Sequence, residues 1–150
     1  MRILIQRVTE ASVEIDNEIK SSIKVGLLVL LGIEEADTLV DSEWLAGKVI
    51  GLRIFDDENG VMNRSVIDVK GDVLVVSQFT LHAMTKKGNR PSYIKAAKHE
   101  LAIPLYEHFC QSLSTKLGKK VQTGTFAADM KVALVNNGPV TIRMDSKTKE

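Results

Sequence analysis

With 150 residues, 44% of them apolar and 26% charged, the chain has the composition of one globular domain large enough to bury a sizeable core. Its 20 basic and 19 acidic residues leave a net charge of +1, which excludes a strongly basic nucleic-acid binder but leaves room for local patches. The longest apolar run, Val25–Ile33, is about half a bilayer span. Arg2, Gln6 and Arg7 interrupt any signal-like start, and the lone Cys110 excludes an intrachain disulfide, so a reducing, cytoplasmic setting with no membrane contact is expected.

The chain opens on alternation. Ile3, Ile5 and Arg7 alternate with Leu4, Gln6 and Val8, and Val13 and Ile15 alternate with Ser12 and Glu14, so this segment reads as strand. Asp16-Asn17 signals a turn before a further strand at Ile19–Lys24. The run Leu27–Ile33 lacks alternation and reads as a strand buried on both faces. From Thr38 to Leu52 the period becomes helical: Leu45, Val49 and Leu52 share a face, and Asp37 or Thr38 offers an N-cap. After Arg53-Ile54-Phe55, Asp56–Gly60 is a polar turn ahead of Val61-Met62, and Asp72–Phe79 is a strand around the apolar run Val73–Val76.

Ser92–His99 and Glu100–Leu117 read as helices. Leu101, Leu105, His108 or Phe109, and Leu113 supply one face, Gly118 is the stop, and Pro104 marks a new helix start. Val121–Phe126, Met130–Val135 and Val140–Met144 complete the strands, and Asp145–Glu150 reads as a frayed tail. The expected fold is a single mixed α/β domain spanning 1–150, with curled, largely antiparallel β-sheets and helices packed on them.

No metal site is expected, because His82, His99 and His108 are dispersed without ligand spacing. No cofactor motif is present either, since no glycine loop is built to cradle a phosphate. Cys110 and His108 stand two apart on a helix, point in different directions and make no nucleophile–base pair. Asp56, Asp57 and Glu58 read as a solvated turn. Lys86, Lys87, Arg90, Lys95 and Lys98 form a run without an acid, which suits either a phosphate backbone or a solvated face.

Two segments carry more information. Ser77-Gln78-Phe79-Thr80-Leu81 ends a strongly apolar strand, a place where binding groups collect on a rigid scaffold. There Ser77, Gln78 and Thr80 are either donors aimed at a ligand or strand-end residues bonding neighbouring backbone. The second segment is Leu134–Ile142, LVNNGPVTI, which sets Gly138-Pro139 between apolar runs; local chemistry alone makes it a hairpin turn.

Taken together, SQFTL and NNGPVT resemble the D-aminoacyl-tRNA deacylases of the widespread bacterial and eukaryotic type, and the resemblance runs nearly end to end. It extends through Gln6-Arg7-Val8, Ala11-Ser12-Val13, Gly26–Gly32, Arg53–Asp57, Met62-Asn63 and Gly88–Ser92 in the same order. Two positions depart from the family pattern: Ala127 stands where glycine is expected, which matters if the backbone there needs φ > 0, and Asn137 replaces a commoner aspartate.

The resemblance implies hydrolysis of the ester joining a D-amino acid to the terminal adenosine of tRNA, with mischarged glycyl-tRNA also accepted. It implies a homodimer in which Gly138-Pro139, with a cis peptide bond, enters the partner's pocket and excludes L-residues. Arg7 would orient that motif, and Thr141 and Met130 would complete the substrate site. Ser77 and Gln78 would place the adenosine, and Phe79 would contact it. Because Thr80 has no evident base beside it, the backbone N–H groups of Phe79 and Thr80 are expected to stabilise the oxyanion, with water attacking and the substrate's 2′-OH assisting. Lys86, Lys87 and Arg90 are then expected to touch the tRNA acceptor end.

Overall fold

A computed structural model describes every residue from Met1 to Glu150. One long strand organises it: β1 (Arg2–Ile15) pairs antiparallel with β3 (Gly26–Gly32) through its first half and with β2 (Glu18–Ile23) through its second. On its other side β1 pairs antiparallel with the last strand, β8 (Lys131–Asp145), along nearly its whole length. Beyond β3 the sheet continues in parallel through β6 (Asp72–Ser77) to the short β7 (Gln122–Thr123). A separate pair, β4 (Phe55–Asp56) and β5 (Met62–Arg64), completes the strands. The mixed α/β class expected from the pattern is the observed one.

Two helices, α1 (Leu39–Gly51) and α2 (His99–Leu117), cover one face of this sheet. Leu45 and Val49 of α1, and Leu105, Phe109 and Leu113 of α2, pack there against Ile3, Ile5, Leu27, Val29, Val73 and Val75. Complete burial of each such side chain contributes about 1.5–3 kcal/mol. The opposite face forms a smaller core of Val8, Val13, Leu28, Leu74 and Val76, closed by half-buried Met130, Val132 and Leu134. Strand β3 is thus buried on both sides, which explains its unbroken apolar sequence. Helix α1 starts at Thr38, whose backbone N–H donates to Asp41 Oδ2 at 2.8 Å.

Several elements differ from expectation. Ser92–Lys98 is not a helix: Met84 and Ser92 exchange backbone hydrogen bonds, Ala97 N–H donates to Ile33 O, and Lys98 N–H donates to Glu35 Oε1. Partners from a distant loop satisfy that backbone, so no helical turn forms. Helix α2 runs through Pro104 rather than restarting there, because the lost bond falls on the exposed side near its first turn. The strand expected over Val121–Phe126 shrinks to β7.

The two C-terminal strands are one, and LVNNGPVTI does not reverse the chain. Gln6 pairs with Thr141 and Val8 with Asn136, so four residues, Asn137–Val140, stand opposite Arg7 alone. This is a large bulge that extrudes the segment while both halves of β8 stay paired to β1. The tail is also anchored at its start. Ser146 N–H donates to Met1 O, and Lys147 Nζ donates to Asp41 Oδ2 at 2.8 Å.

Candidate active site

A cavity of about 870 Å³ opens where β3 and β6 end. Its walls come from five parts of the chain: Leu31 and Ile33 at the end of β3; Ser77, Gln78 and Phe79; Tyr93 with Ala96–Lys98; the first turn of α2 from His99; and Phe126–Met130. Strand β6 delivers the second group. Gln78 N–H donates to Leu31 O at 2.7 Å, fixing the strand end, and Phe79–His82 then turns as one short 3-10 helix. The opening N–H groups of such a turn have no carbonyl behind them within it, and no turn, loop or cap hydrogen bond uses those of Phe79 and Thr80. They are main-chain donors held by a rigid strand end.

Thr80 adjoins the cavity without belonging to its lining. Its Oγ1 lies 2.5 Å from Gln78 Nε2, and no imidazole or carboxylate bonds it. Nothing there activates the hydroxyl as a nucleophile. Phe79 is largely exposed and meets Tyr93 edge to face, with ring centroids 5.0 Å apart. On the far wall the ring of Phe126 stands between those of His99 and Tyr106, at 5.5 and 5.7 Å. The Tyr106 hydroxyl donates to Val75 O at 2.9 Å, and burial pushes its phenol pKa far up, so it is a neutral structural tie. Met130 lines the cavity, close to Gly124, where a Cβ would lie 2.5 Å from Met130 Sδ.

Ala127 adopts φ 62°, so the position does call for the left-handed region in which a glycine is at ease. Tyr93, His99 and Phe126 carry no signal as site residues in the sequence. They come from segments with no strand-end or motif pattern, and only the tertiary fold brings them to the cavity.

Gly138 and Pro139 lie outside the cavity of their own chain, at the tip of the β8 bulge, and the peptide bond between them is cis. Arg7, only 6% exposed, anchors the base of that bulge. Its Nε donates to Asn137 O at 2.8 Å, and its Nη1 donates to Ile54 O at 2.7 Å and to Asp56 Oδ1 at 3.2 Å. The contact uses the main chain of Asn137, so the identity of that side chain is immaterial to it. A Cβ on Gly138, whose φ is 139°, would lie 3.1 Å from Arg7 Nη2. Asn136, the first residue of NNGPVT, closes the bulge: its Oδ1 accepts from Val140 N–H at 2.9 Å and its Nδ2 donates to Thr141 Oγ1. Asp56, expected to be merely solvated, is Arg7's ion-pair partner.

Lys86, Lys87 and Arg90 sit exposed on the loop between the bridged residues Met84 and Ser92, away from the cavity lining. Ser42 Oγ, His108 Nδ1 and Glu43 form a Ser–His–Glu sequence, at 2.9 Å and then 3.5 Å. Ser42 is fully buried between α1 and α2, beyond the reach of a substrate, so this set ties the helices together. No group of three or more His, Cys, Asp or Glu side chains is gathered to hold a metal ion, and no helix is long and apolar enough to cross a membrane.

The site thus combines a strand-end cavity, two main-chain N–H groups at the start of a 3-10 turn, no activated side-chain nucleophile, and a glycine–proline bulge that stands outside the cavity. Residues 4–145 match the D-Tyr-tRNA(Tyr) deacylase family, and the chain belongs to that family. It is 67% identical to a D-aminoacyl-tRNA deacylase of Phocaeicola vulgatus and 65% identical to one of Flavobacterium johnsoniae, each over the whole of both chains. The solved structure of a c-Myc DNA Unwinding Element Binding Protein superposes with a TM-score of 0.92 at 39% identity, covering 97% of this chain and 98% of that one. A probable eukaryotic D-amino acid tRNA deacylase, 16% identical, shares the fold at a TM-score of 0.82 over 95% of this chain and 97% of its own.

Proposed function

We infer that this protein is a D-aminoacyl-tRNA deacylase: it hydrolyses the ester between a D-amino acid and the terminal adenosine of tRNA, clearing mischarged tRNA in the cytoplasm. Family membership supports the reaction. The observation that carries its mechanism is the pair of N–H groups that open the 3-10 turn at Phe79 and Thr80, after β6, which no turn, loop or cap hydrogen bond takes up. An aminoacyl ester is already activated, so catalysis needs an attacking water and donors placed where the oxyanion develops. Such donors contribute about 2.7–4 kcal/mol each in comparable sites. The substrate's 2′-OH assists the water, Ser77 and Gln78 place the adenosine, and Phe79 contacts it. Lys86, Lys87 and Arg90 hold the acceptor end by its phosphates, and no cofactor is called for.

Selectivity in this reading is exclusion. The main chain of Gly138-Pro139 from a second copy, oriented by Arg7, stands where an L side chain would project, with Thr141 and Met130 completing the wall. Many D side chains are then accepted, and so is glycine, which has none. Two observations support the second copy. Gly138-Pro139 is absent from its own cavity, and the 15-residue β8 has one edge paired to β1 and the other unpaired. An unpaired edge of that length is ordinarily covered in a native protein.

The test is deacylation of D-tyrosyl-tRNA beside L-tyrosyl-tRNA and glycyl-tRNA at matched enzyme concentration. Loss of the D- and glycyl esters with the L-ester intact is expected. Loss of all three would remove the exclusion argument, and loss of none would remove the hydrolase reading.

A further inference from the structure

A second concavity adjoins the first. A groove of about 800 Å³ runs along α2 from Ile103 to its C-terminal end, between that helix, strand β2 and the segment around β7, and Phe126 forms part of the wall of both spaces. Its charged lining is mostly cationic, with Lys20, Lys119 and Lys120 facing the single carboxylate Glu107. Lys119 is committed: its Nζ is 2.6 Å from Asp72 Oδ1 and 3.2 Å from Lys70 O.

Lys20 and Lys120 are different. Both are exposed and neither enters an ion pair or hydrogen bond, although they come from opposite ends of the sequence to one groove. Beside them Thr123 gives only its main-chain carbonyl to Ser21, which leaves its hydroxyl free, and Thr125 adds another hydroxyl. Free ammonium groups and hydroxyls in a concave wall recognise the oxygens of phosphodiesters without regard to base sequence.

We propose that this groove holds backbone phosphates of the tRNA strand that leads into the cavity. The proposal rests on the deacylase reading. It gives the RNA a second basic contact, on the α2 side, distinct from the Lys86–Arg90 loop. Continuity through Phe126 places these phosphates next to the nucleotide whose ester is cleaved.

The experiment compares the wild-type protein, the Lys20→Ala/Lys120→Ala variant and the Lys20→Arg/Lys120→Arg variant. Each is assayed on D-tyrosyl-tRNA over a range of salt and on D-tyrosyl-adenosine, an ester of the same chemistry without phosphate. The alanine pair is expected to raise KM for the tRNA about tenfold with kcat unchanged, and to lower the salt slope of log kcat/KM by about 1.4–1.8, the share of two phosphate contacts. The arginine pair should restore both, and all three proteins should cleave the adenosine ester equally.

An unmoved KM and salt slope would overturn the proposal. So would an equal loss on the phosphate-free ester, which would mark damage to the cavity itself. Weakened binding of duplex DNA with an unchanged tRNA KM would give the groove to DNA instead. A wild-type protein that cleaves neither ester would end the deacylase reading and the groove with it, whereas cleavage of both with an unmoved KM would end the groove alone.

Discussion

Ala127 shows how a single side chain carries a cost that composition hides. A non-glycine residue in the left-handed region costs about 1–2 kcal/mol, and glycine there gives back about 0.5–1 kcal/mol through the greater freedom of its unfolded chain. Ala127→Gly is therefore expected to stabilise the protein by about 0.5–1 kcal/mol in urea unfolding, with an unchanged fold. A lower midpoint would mean that the Ala127 methyl makes contacts worth more than the strain. His82 poses a second problem at this scale. It closes the 3-10 turn and is wholly buried, neither ring nitrogen has a hydrogen-bond partner, and Glu34 Oε2 lies 4.0 Å from Nδ1. Burial pushes its pKa below the ordinary 6.5, with Arg2 and the N-terminal ammonium adding to that and the Gly32 backbone and Glu34 opposing it. The unfolded chain then takes up the proton before the folded one as pH falls. Its contribution to stability is full above about pH 6.5 and declines below it until the folded value is reached. His82→Leu is expected to remove this slope between about pH 7 and pH 5, and to raise stability at neutral pH by removing an unsatisfied buried N–H. Urea midpoints measured across that range would decide it, and an acid slope as steep as the wild type's would refute the assignment to His82.

At the scale of elements, the parallel contact between β3 and β6 depends on Gly26. A Cβ there would lie 1.9 Å from Asp72 O, a backbone atom that cannot step aside, whereas a Cβ on Gly47 in α1 would have nothing within 4 Å. Gly26→Ala is expected to cost about 3 kcal/mol or more, and Gly47→Ala to add about 0.5–1 kcal/mol through helix propensity. Thermal unfolding of the pair should move in opposite directions; a tolerated Gly26→Ala would show that the strands can separate there without penalty. Elements whose cause is local are legible in the sequence. The unbroken apolar run marks β3, the 3.6-residue period of Leu45 and Val49 marks α1, and SQFTL at a strand end marks one wall of the cavity. Elements whose cause lies elsewhere in the chain are not. Asn137–Val140 looks like a hairpin because Asn, Gly and Pro are turn residues, but Arg7 and Asn136 hold it as a bulge in a continuing strand. Ser92–Lys98 has helical spacing, yet Ile33 and Glu35 take its backbone N–H groups. Asp56 looks solvated until Arg7 reaches it across the fold.

At the scale of the whole molecule, the proposed reading sets Gly138-Pro139 of one copy over the cavity of another, and a mixture of variants tests it against a guard that serves its own chain. The two arrangements give different arithmetic in a mixture. Take a Pro139→Ala variant, expected to admit the L-ester, and a Gln78→Ala variant, expected to cleave nothing because its adenosine is misplaced. When the two are unfolded together and refolded at equal amounts, half of the dimers proposed above are mixed. In a mixed dimer, the working cavity belongs to the Pro139→Ala chain. If the guard acts across the interface, that cavity faces the intact proline of the Gln78→Ala chain and rejects the L-ester. Activity on L-tyrosyl-tRNA then falls to about a quarter of that of pure Pro139→Ala at the same total concentration, since only its homodimers remain permissive. If the guard serves its own chain, half of the activity remains. D-tyrosyl-tRNA cleavage, which needs only a working cavity, should stay at about half in either case and so reports the mixing itself. A quarter on the L-ester beside a half on the D-ester assigns the bulge to the partner's site. A half on both places the guard in its own subunit, and the unpaired edge of β8 would then need another explanation.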